Sequence, residues 1–330
     1  MTHLECPIIT LLIPVYRDQK ALSLLLPKLD EALSVAPSDK VRWRVLLVND
    51  GATDPPLESD FKPVFERIET VETLWLRRNL GHQRAIAIGL SELAERAESD
   101  AVVVLDGDGE DDPKDIPRLL ERMEVGGYQE VVFAERRKRS EGVLFVAGYH
   151  AYRWLHHVLT GVPVRFGNFS IIPRCHLDRL VCADELWNHY AASVVKLKLP
   201  FSLLHTERAH RLARESRMNT LSLVVHGLSA MSVFSEQIGV RLLFATSTCG
   251  VLLLALITAV VVVRFMTDLA VPGWATYTTG ILLLMLGQLF VACLLFAFIT
   301  LSGRTTLRFL PMRDYTYFIF KRERVYPEHD

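Results

Sequence analysis

The sequence offers little that would support a disulfide framework or a zinc site. Its 330 residues include five cysteines, Cys6, Cys175, Cys182, Cys249 and Cys293. None forms a C-x-x-C pair and two fall in strongly apolar stretches, so a reducing, cytoplasmic setting is expected. An excess of either charge is also lacking. With 37 Lys and Arg against 38 Asp and Glu, the formal net charge is -1, which gives no bulk attraction to nucleic acid. The N-terminus has no basic segment followed by an apolar run and a cleavage site, so no signal peptide is expected. Internal repeats and low-complexity segments are missing too. The length exceeds one small domain and suits an α/β domain plus something else.

What the chain does have is apolar sequence, half of its residues, unevenly placed. From Leu242 to Val263 about 22 residues pass without a charge, enough to cross ~30 Å of hydrocarbon as a helix. A second uncharged stretch runs from Leu269 to Gly303, and its core, Ile281 to Leu301, is long enough to span. Pro272, Gly273 and Trp274 between them read as a turn with an interfacial aromatic. Two spans with a tight loop make a hairpin whose ends lie on one side. Arg304, Arg308, Arg313, Lys321, Arg322 and Arg324 follow it, and the positive-inside rule puts that side, with residues 1–237, in the cytoplasm. The predicted organisation is a cytoplasmic catalytic domain over 1–217, amphipathic helices over 218–240, a transmembrane hairpin over 241–303 and a basic cytoplasmic tail over 304–330. The helices over 218–240 would lie at the membrane interface or pack on the catalytic domain. The expected location is the cytoplasmic membrane, with two passes. Two buried helices of a soluble core are the competing reading, disfavoured by the length of the uncharged runs.

The first 140 residues alternate between two periodicities. Residues 8–15, 43–48, 71–76, 101–105 and 130–134 read as buried strands, and 20–33 and 83–97 as helices. This alternation predicts βα units and a mostly parallel sheet. Ligands of such sheets bind beyond the carboxyl ends of the strands, and Tyr16, Asp50, Asp106 and Asp108 all follow predicted strand ends.

Asp106-Gly107-Asp108 places two carboxylates one residue apart after Val102-Val103-Val104-Leu105. Gly107 and Gly109 permit the turn that lets them converge. Glu110, Asp111 and Asp112 extend a run that would repel itself without a cation, and such oxygen ligands suit Mg²⁺ or Mn²⁺ together with substrate phosphates. The alternative is a solvated acidic loop before a helix starting near Pro113. Asp50, within Asn49-Asp50-Gly51-Ala52-Thr53-Asp54, can accept hydrogen bonds from a base or ribose or act in a polar turn. Arg77-Arg78-Asn79-Leu80-Gly81-His82-Gln83 precedes a helix, a setting that suits phosphate or merely exposes surface arginines.

In order, Ile13-Pro14-Val15-Tyr16, Val48-Asn49-Asp50-Gly51-Ala52-Thr53-Asp54, Arg78-Asn79-Leu80-Gly81-His82-Gln83 and Asp106-Gly107-Asp108-Gly109-Glu110-Asp111-Asp112-Pro113 resemble the motifs of family 2 glycosyltransferases. The pattern is that of dolichol-phosphate mannose synthases and bacterial polyprenyl-phosphate glycosyltransferases. It covers about residues 8–220, and the C-terminal hairpin resembles one subgroup's membrane anchor. The resemblance implies a GT-A fold, a mostly parallel α/β sheet with helices on both faces, and metal-dependent, inverting transfer. It implies a nucleotide-sugar donor, UDP- or GDP-linked, and a polyprenyl-phosphate acceptor at the membrane. By motif position Pro14, Tyr16, Asp18 and Asp50 would hold the nucleoside. Asp106, Gly107 and Asp108 would flank the diphosphate, with Asp106, Asp108 and Glu110 on Mg²⁺ or Mn²⁺. Arg136, Arg139, Arg211 and Arg217 would face phosphates or solvent near anionic lipid. A homo-oligomer is compatible with all of this.

Three positions depart from the pattern. Arg17-Asp18 replaces Asn-Glu, Asn49 replaces an Asp, and the G-D-F segment reads Gly167-Asn168-Phe169. Asn168 cannot act as a base, so a hydroxyl acceptor would need another one. A phosphate monoester arrives largely ionised and needs none. The departure fits a lipid-phosphate acceptor, and also a repurposed enzyme. Transfer to another lipid or glycan, or a weakly active nucleotide-sugar-binding scaffold, therefore stays open. The absence of a Q-x-x-R-W motif and the two spans argue against processive polymer synthesis.

Overall fold

The computed structural model describes residues 6–34, 41–55, 57, 64–136, 153–162, 167–207, 209, 211–212, 220–267, 273–305 and 309–327. They fall into two units, one from residues 1–142, 165–233 and 308–330, the other from 143–164 and 234–307.

The first unit is built on an eight-stranded mixed sheet: β1 (Ile8–Val15), β2 (Arg42–Asn49), β3 (Ile68–Leu76), β4 (Ala101–Val104), β5 (Val131–Arg136), β6 (Ser170–Pro173), β7 (Phe201–Thr206) and β8 (Ile319–Tyr326). The spatial order is β7-β5-β6-β4-β1-β2-β3-β8. The centre, β4-β1-β2-β3, is parallel, as is β5 with β7. β6 runs antiparallel to β4 and β5, and β8 antiparallel to β3. Three helices, α1 (Gln19–Leu33), α2 (His82–Arg96) and α3 (Asp115–Val125), connect the central strands.

Strand alternation sorts the core into two layers. Leu11 and Ile13 of β1, Val45 and Leu47 of β2 and Val103 of β4 share a cluster with Leu22, Leu25 and Leu29 of α1 and Ile116, Leu119 and Leu120 of α3. Leu12, Leu46, Val48, Val102 and Val104 share the other with Ala85, Ile86, Leu90 and Leu93 of α2. Burial on both faces is why these strands read as unbroken apolar runs, and each buried Leu or Val contributes about 1.5–3 kcal/mol.

Three strands were not expected from the sequence. β6 is inserted between β4 and β5, β7 widens the sheet beyond β5, and β8 turns part of the expected basic tail into an edge strand. There Arg322 grips the buried Glu92 of α2 with both guanidinium donors at 2.8 Å. Trp75 Nε1 donates to Glu323 at 2.8 Å, and the Lys321 ammonium lies 4.4 Å from the Trp75 ring centroid.

The expected amphipathic segment divides at a different place. Thr220–Ser232 forms one helix, and residues 235–240 already belong to the first turns of the long helix Ser235–Met266. That helix and Trp274–Thr305 dominate the second unit. Both are long and apolar enough to cross a membrane, and only 6% of the apolar stretch of each is buried. Phe244, Leu252, Phe290, Leu294 and Phe298 are exposed, a burial pattern that supports membrane association over a buried core. Thr246 Oγ1 and Cys293 Sγ meet at 2.9 Å between them. Within the same unit a short helix over 153–160 exposes Trp154, Leu155 and Val158, and the Arg241 guanidinium caps it through the Val158 carbonyl at 2.6 Å.

Candidate active site

The carboxyl ends of β1, β2 and β4 carry the predicted residues. After β4 the acidic loop folds on itself. The Asp106 N–H donates to Asp111 Oδ2 at 2.9 Å, and the Glu110 N–H donates to Asp108 Oδ1 at 2.9 Å. Gly109 has φ +80°, and a Cβ there would lie 2.5 Å from Leu212 Cγ, so neither the backbone conformation nor the space admits a side chain. The segment over this glycine is stitched on by Ala209 N–H to Glu110 O and Leu212 N–H to Asp108 O, each 3.1 Å.

That stitch delivers Arg211. Its Nη2 lies 2.9 Å from Asp108 Oδ2 and its Nε 2.7 Å from Glu110 Oε1. Burial raises the Asp108 carboxyl above its ordinary range, with Glu110 and Asp111 adding to the rise, while the Glu110 N–H and Arg211 oppose it. Burial works against the Arg211 cation, but Glu110, Asp108 and Asp18 together hold its pKa above the usual value. Asp18, Asp108, Glu110 and Arg211 thus form one electrostatic group.

Among the described residues no three His, Cys, Asp or Glu side chains converge as a metal-ligand set. Of the expected trio of Asp106, Asp108 and Glu110, the latter two lie against the Arg211 guanidinium. Asp108 and Glu110 do reach a single cationic group, and a pair of carboxylates fits Mg²⁺ or Mn²⁺, which rely on waters and substrate phosphates for the remaining ligands.

At the end of β1, Gly107 lies against the Pro14 carbonyl and the Ile13 side chain. Tyr16 is partly exposed, and the Arg17 guanidinium sits 5.3 Å from its ring centroid. At the end of β2, Asn49 makes a local turn, accepting from Ala52 N–H at 3.0 Å and donating to the Asp54 carbonyl at 3.2 Å. Asp50 is buried, and its two oxygens accept the N–H groups of Leu80 at 2.7 Å and Gly81 at 2.8 Å. Burial raises its pKa against the pull of those amides and of Arg84. Expected to meet a nucleoside, Asp50 here fastens the loop before α2, with lone pairs to spare on each oxygen. Gly51 seals the same junction: a Cβ there would lie 2.1 Å from the Arg78 carbonyl carbon.

Asn168 is tied to the first turn of α2, accepting at Oδ1 from Gln83 Nε2 at 3.0 Å. The Gln83 side-chain oxygen Oε1 accepts the Tyr190 N–H at 2.7 Å. Sequence reasoning assigned no role to Gln83, Tyr190 or Ser170. Gln83 lay in view inside the Gly81-His82-Gln83 motif, whereas Tyr190 and Ser170 carried no signal of their own. Arg136 ends β5 opposite Thr206. Arg139 and Arg217 lie outside the described residues.

Comparison with known proteins follows the same line. The chain is 25% identical over 295 residues to an uncharacterized glycosyltransferase, YkcC, of Bacillus subtilis, covering 84% of this chain and 86% of the relative. It is 26% identical to the undecaprenyl-phosphate 4-deoxy-4-formamido-L-arabinose transferase of Aeromonas hydrophila, covering 70% of each. The dodecaprenyl-phosphate galacturonate synthase of Rhizobium johnstonii is 28% identical over 68% of this chain and 66% of that one. Among solved structures, glucosyl-3-phosphoglycerate synthase of Mycobacterium tuberculosis with Mn²⁺, UDP-glucose and phosphoglyceric acid aligns with a TM-score of 0.45 at 13% identity, covering 71% of this chain and 80% of that one. A Pyrobaculum calidifontis mannosyltransferase with GDP-mannose and Mn²⁺ aligns with a TM-score of 0.39 at 13% identity, covering 91% and 87%. The signature of Glycosyl transferase family 2 matches residues 10–176, half of the chain and all of its motif-bearing strand ends. The chain belongs to glycosyl transferase family 2.

Proposed function

We propose that this glycosyltransferase moves a sugar, with inversion, from a UDP- or GDP-sugar to a polyprenyl phosphate at the cytoplasmic face of the membrane. The observation that carries the reading is the meeting of Asp108 and Glu110 on one cationic group at the carboxyl end of the central sheet, where a nucleoside diphosphate would need its charge balanced. Two relatives, one named an undecaprenyl-phosphate 4-deoxy-4-formamido-L-arabinose transferase and the other a dodecaprenyl-phosphate galacturonate synthase, support the acceptor class. The two long apolar helices support the membrane setting.

Pro14, Tyr16, Asp18 and Asp50 bind the nucleoside, and Asp106 and Gly107 border the diphosphate. Mg²⁺ or Mn²⁺ held by Asp108 and Glu110, with Asp106 beside them, would neutralise charge developing on the leaving diphosphate. Arg136, Arg139, Arg211 and Arg217 attract and align phosphate oxygens through charge-assisted hydrogen bonds. The acceptor oxygen attacks the anomeric carbon in line, and no covalent enzyme intermediate is required.

Incubating the purified protein with polyprenyl phosphate and a panel of radiolabelled UDP- and GDP-sugars tests this directly. Label from one donor should partition into the extracted lipid. Label that stays in the aqueous phase for every donor would overturn the reading.

A further inference from the structure

The loop between β3 and α2, residues 77–81, is held from two sides. On one side stands Asp50, whose two oxygens take the Leu80 and Gly81 N–H groups. On the other stands the chain that follows the second long helix. β8 pairs with β3 as far as Leu76 and Ile319, and one step further the Arg77 N–H donates to the Phe318 carbonyl at 2.8 Å. The loop therefore leaves β3 tied to residue 318 and enters α2 tied to residue 50.

Phe318 is itself fixed by other rings. Its centroid lies 5.3 Å from that of Trp187 and 5.6 Å from that of Phe309, and Trp187 and Phe309 lie 3.9 Å apart. Trp187 and Phe318, with Leu80 of the loop, pack on the apolar layer that surrounds α2. Three large rings in mutual contact, each with few torsions, make a stiff wall. Two cations rest on it. The Arg78 guanidinium lies 6.0 Å from the Phe318 centroid, and the Arg84 guanidinium 5.2 Å from that of Trp187.

What this wall supports reaches the site. The Asp50 N–H donates to the Val15 carbonyl at 2.9 Å, and Gly107 of the acidic loop lies against the Pro14 carbonyl and the Val15 side chain. Asp50 thus stands one strand away from Asp106 and Asp108, with only β1 between β2 and β4. Each Asp50 oxygen gives one lone pair to the loop, so the direction left for a ligand depends on where the Leu80 and Gly81 amides lie.

We propose that the returning segment 309–318 is a positioning element for the nucleotide. Phe318, backed by Trp187 and Phe309, sets the loop so that Asp50 offers its remaining lone pairs to the nucleoside. This rests on the nucleoside role given to Asp50 under Proposed function and names the part of the chain that maintains it. None of these rings touches a reacting bond, so losing one weakens donor binding and leaves the chemical step as it was.

Phe318→Ala removes the ring and keeps the backbone carbonyl. In calorimetric titration of the detergent-solubilised full chain with UDP and with GDP, the Kd of the nucleotide that the parent binds should rise roughly tenfold, the scale of one misaligned hydrogen bond. Hydrogen exchange at the Leu80 and Gly81 amides should quicken in the same variant. In transfer assays the donor KM should rise with it, while kcat and the KM for polyprenyl phosphate stay within twofold. Phe318→Tyr, which keeps the ring, and Phe320→Ala, at an exposed position of β8, should both bind nucleotide within twofold of the parent. Trp187→Leu withdraws the backing without altering β8; it should act in the same direction and decides the matter if Phe318→Ala does not fold. Parent-like nucleotide binding in Phe318→Ala and Trp187→Leu, unchanged exchange at both amides, or a fall in kcat with the donor KM unchanged overturns this inference. A parent that binds neither UDP nor GDP overturns the nucleoside role of Asp50 and this inference with it. A parent that binds one of them and shows the expected weakening, yet labels no lipid, overturns the proposed acceptor and leaves the positioning role standing.

Discussion

At the residue scale the decisive feature is that one guanidinium serves two carboxylates. Arg211 neutralises Asp108 and Glu110, and a divalent cation would compete for the same oxygens. Removing the arginine leaves two like charges facing each other, a state that favours a cation. Arg211→Ala should therefore bind Mn²⁺ several-fold more tightly, read from the free-Mn²⁺ EPR signal, while Asp108→Asn should bind it roughly tenfold more weakly through the loss of a ligand charge. Equal affinity in parent and Arg211→Ala would mean that the arginine and the metal do not share a site. Sugar transfer should fall in both variants, so the binding signal is what separates them. Asp108 and Glu110 stand out in the sequence because they follow a strand end in one acidic run. The contact of Arg211 with them was not legible, since about a hundred residues separate Asp108 from Arg211 and a backbone stitch at Ala209 and Leu212 brings them together.

At the element scale the central strands were legible because burial on both faces leaves a continuous apolar run, as in Ile8–Val15. β8 escaped for the opposite reason. As an edge strand it exposes most of its residues, and Lys321-Arg322-Glu323-Arg324 reads as a solvated basic tail until β3 is placed beside it. β6, with four residues, is too short to announce a period. The clasp of β8 on α2 has a measurable consequence. Glu92 is buried, and although burial alone would raise its pKa, Arg322 and Arg96 hold it below the ordinary carboxylate value. A lowered folded-state pKa contributes stability that is present above the unfolded value and lost as pH falls through the folded one. Glu92→Gln should cost about 1–3 kcal/mol at neutral pH, the modest end for a buried ion pair because Arg322 can turn to water. The deficit should shrink as the pH drops below the ordinary glutamate range. Thermal unfolding of the detergent-solubilised protein at pH 7 and pH 4 measures both; a difference that grows toward acid would contradict the assignment.

At the scale of the whole molecule, chain connectivity fixes more than charge statistics do. The first unit ends one segment at residue 233 and resumes at 308, and the resumed segment supplies β8, paired along its length with β3. A strand cannot join the sheet from the far side of a bilayer, so if the two long helices cross one, they must leave and return on the same face. The Lys and Arg after the second helix led the sequence reading to expect that face in the cytoplasm, and the pairing of β8 adds, independently of where the charges lie, that any crossing must be made an even number of times. A reporter fused at Asp330 should therefore register cytoplasm, and Gly273→Cys, in the turn between the helices, should be labelled by an impermeant thiol reagent added outside the cell, tested in a background where Cys6, Cys175, Cys182, Cys249 and Cys293 are replaced by serine or alanine. A reporter at Asp330 that registers the outside would require β8 to be unpaired in the cell. Labelling of Gly273→Cys only after the membrane is opened would mean that the helices lie on the membrane without crossing it, and the positive-inside argument would then have no span to act on.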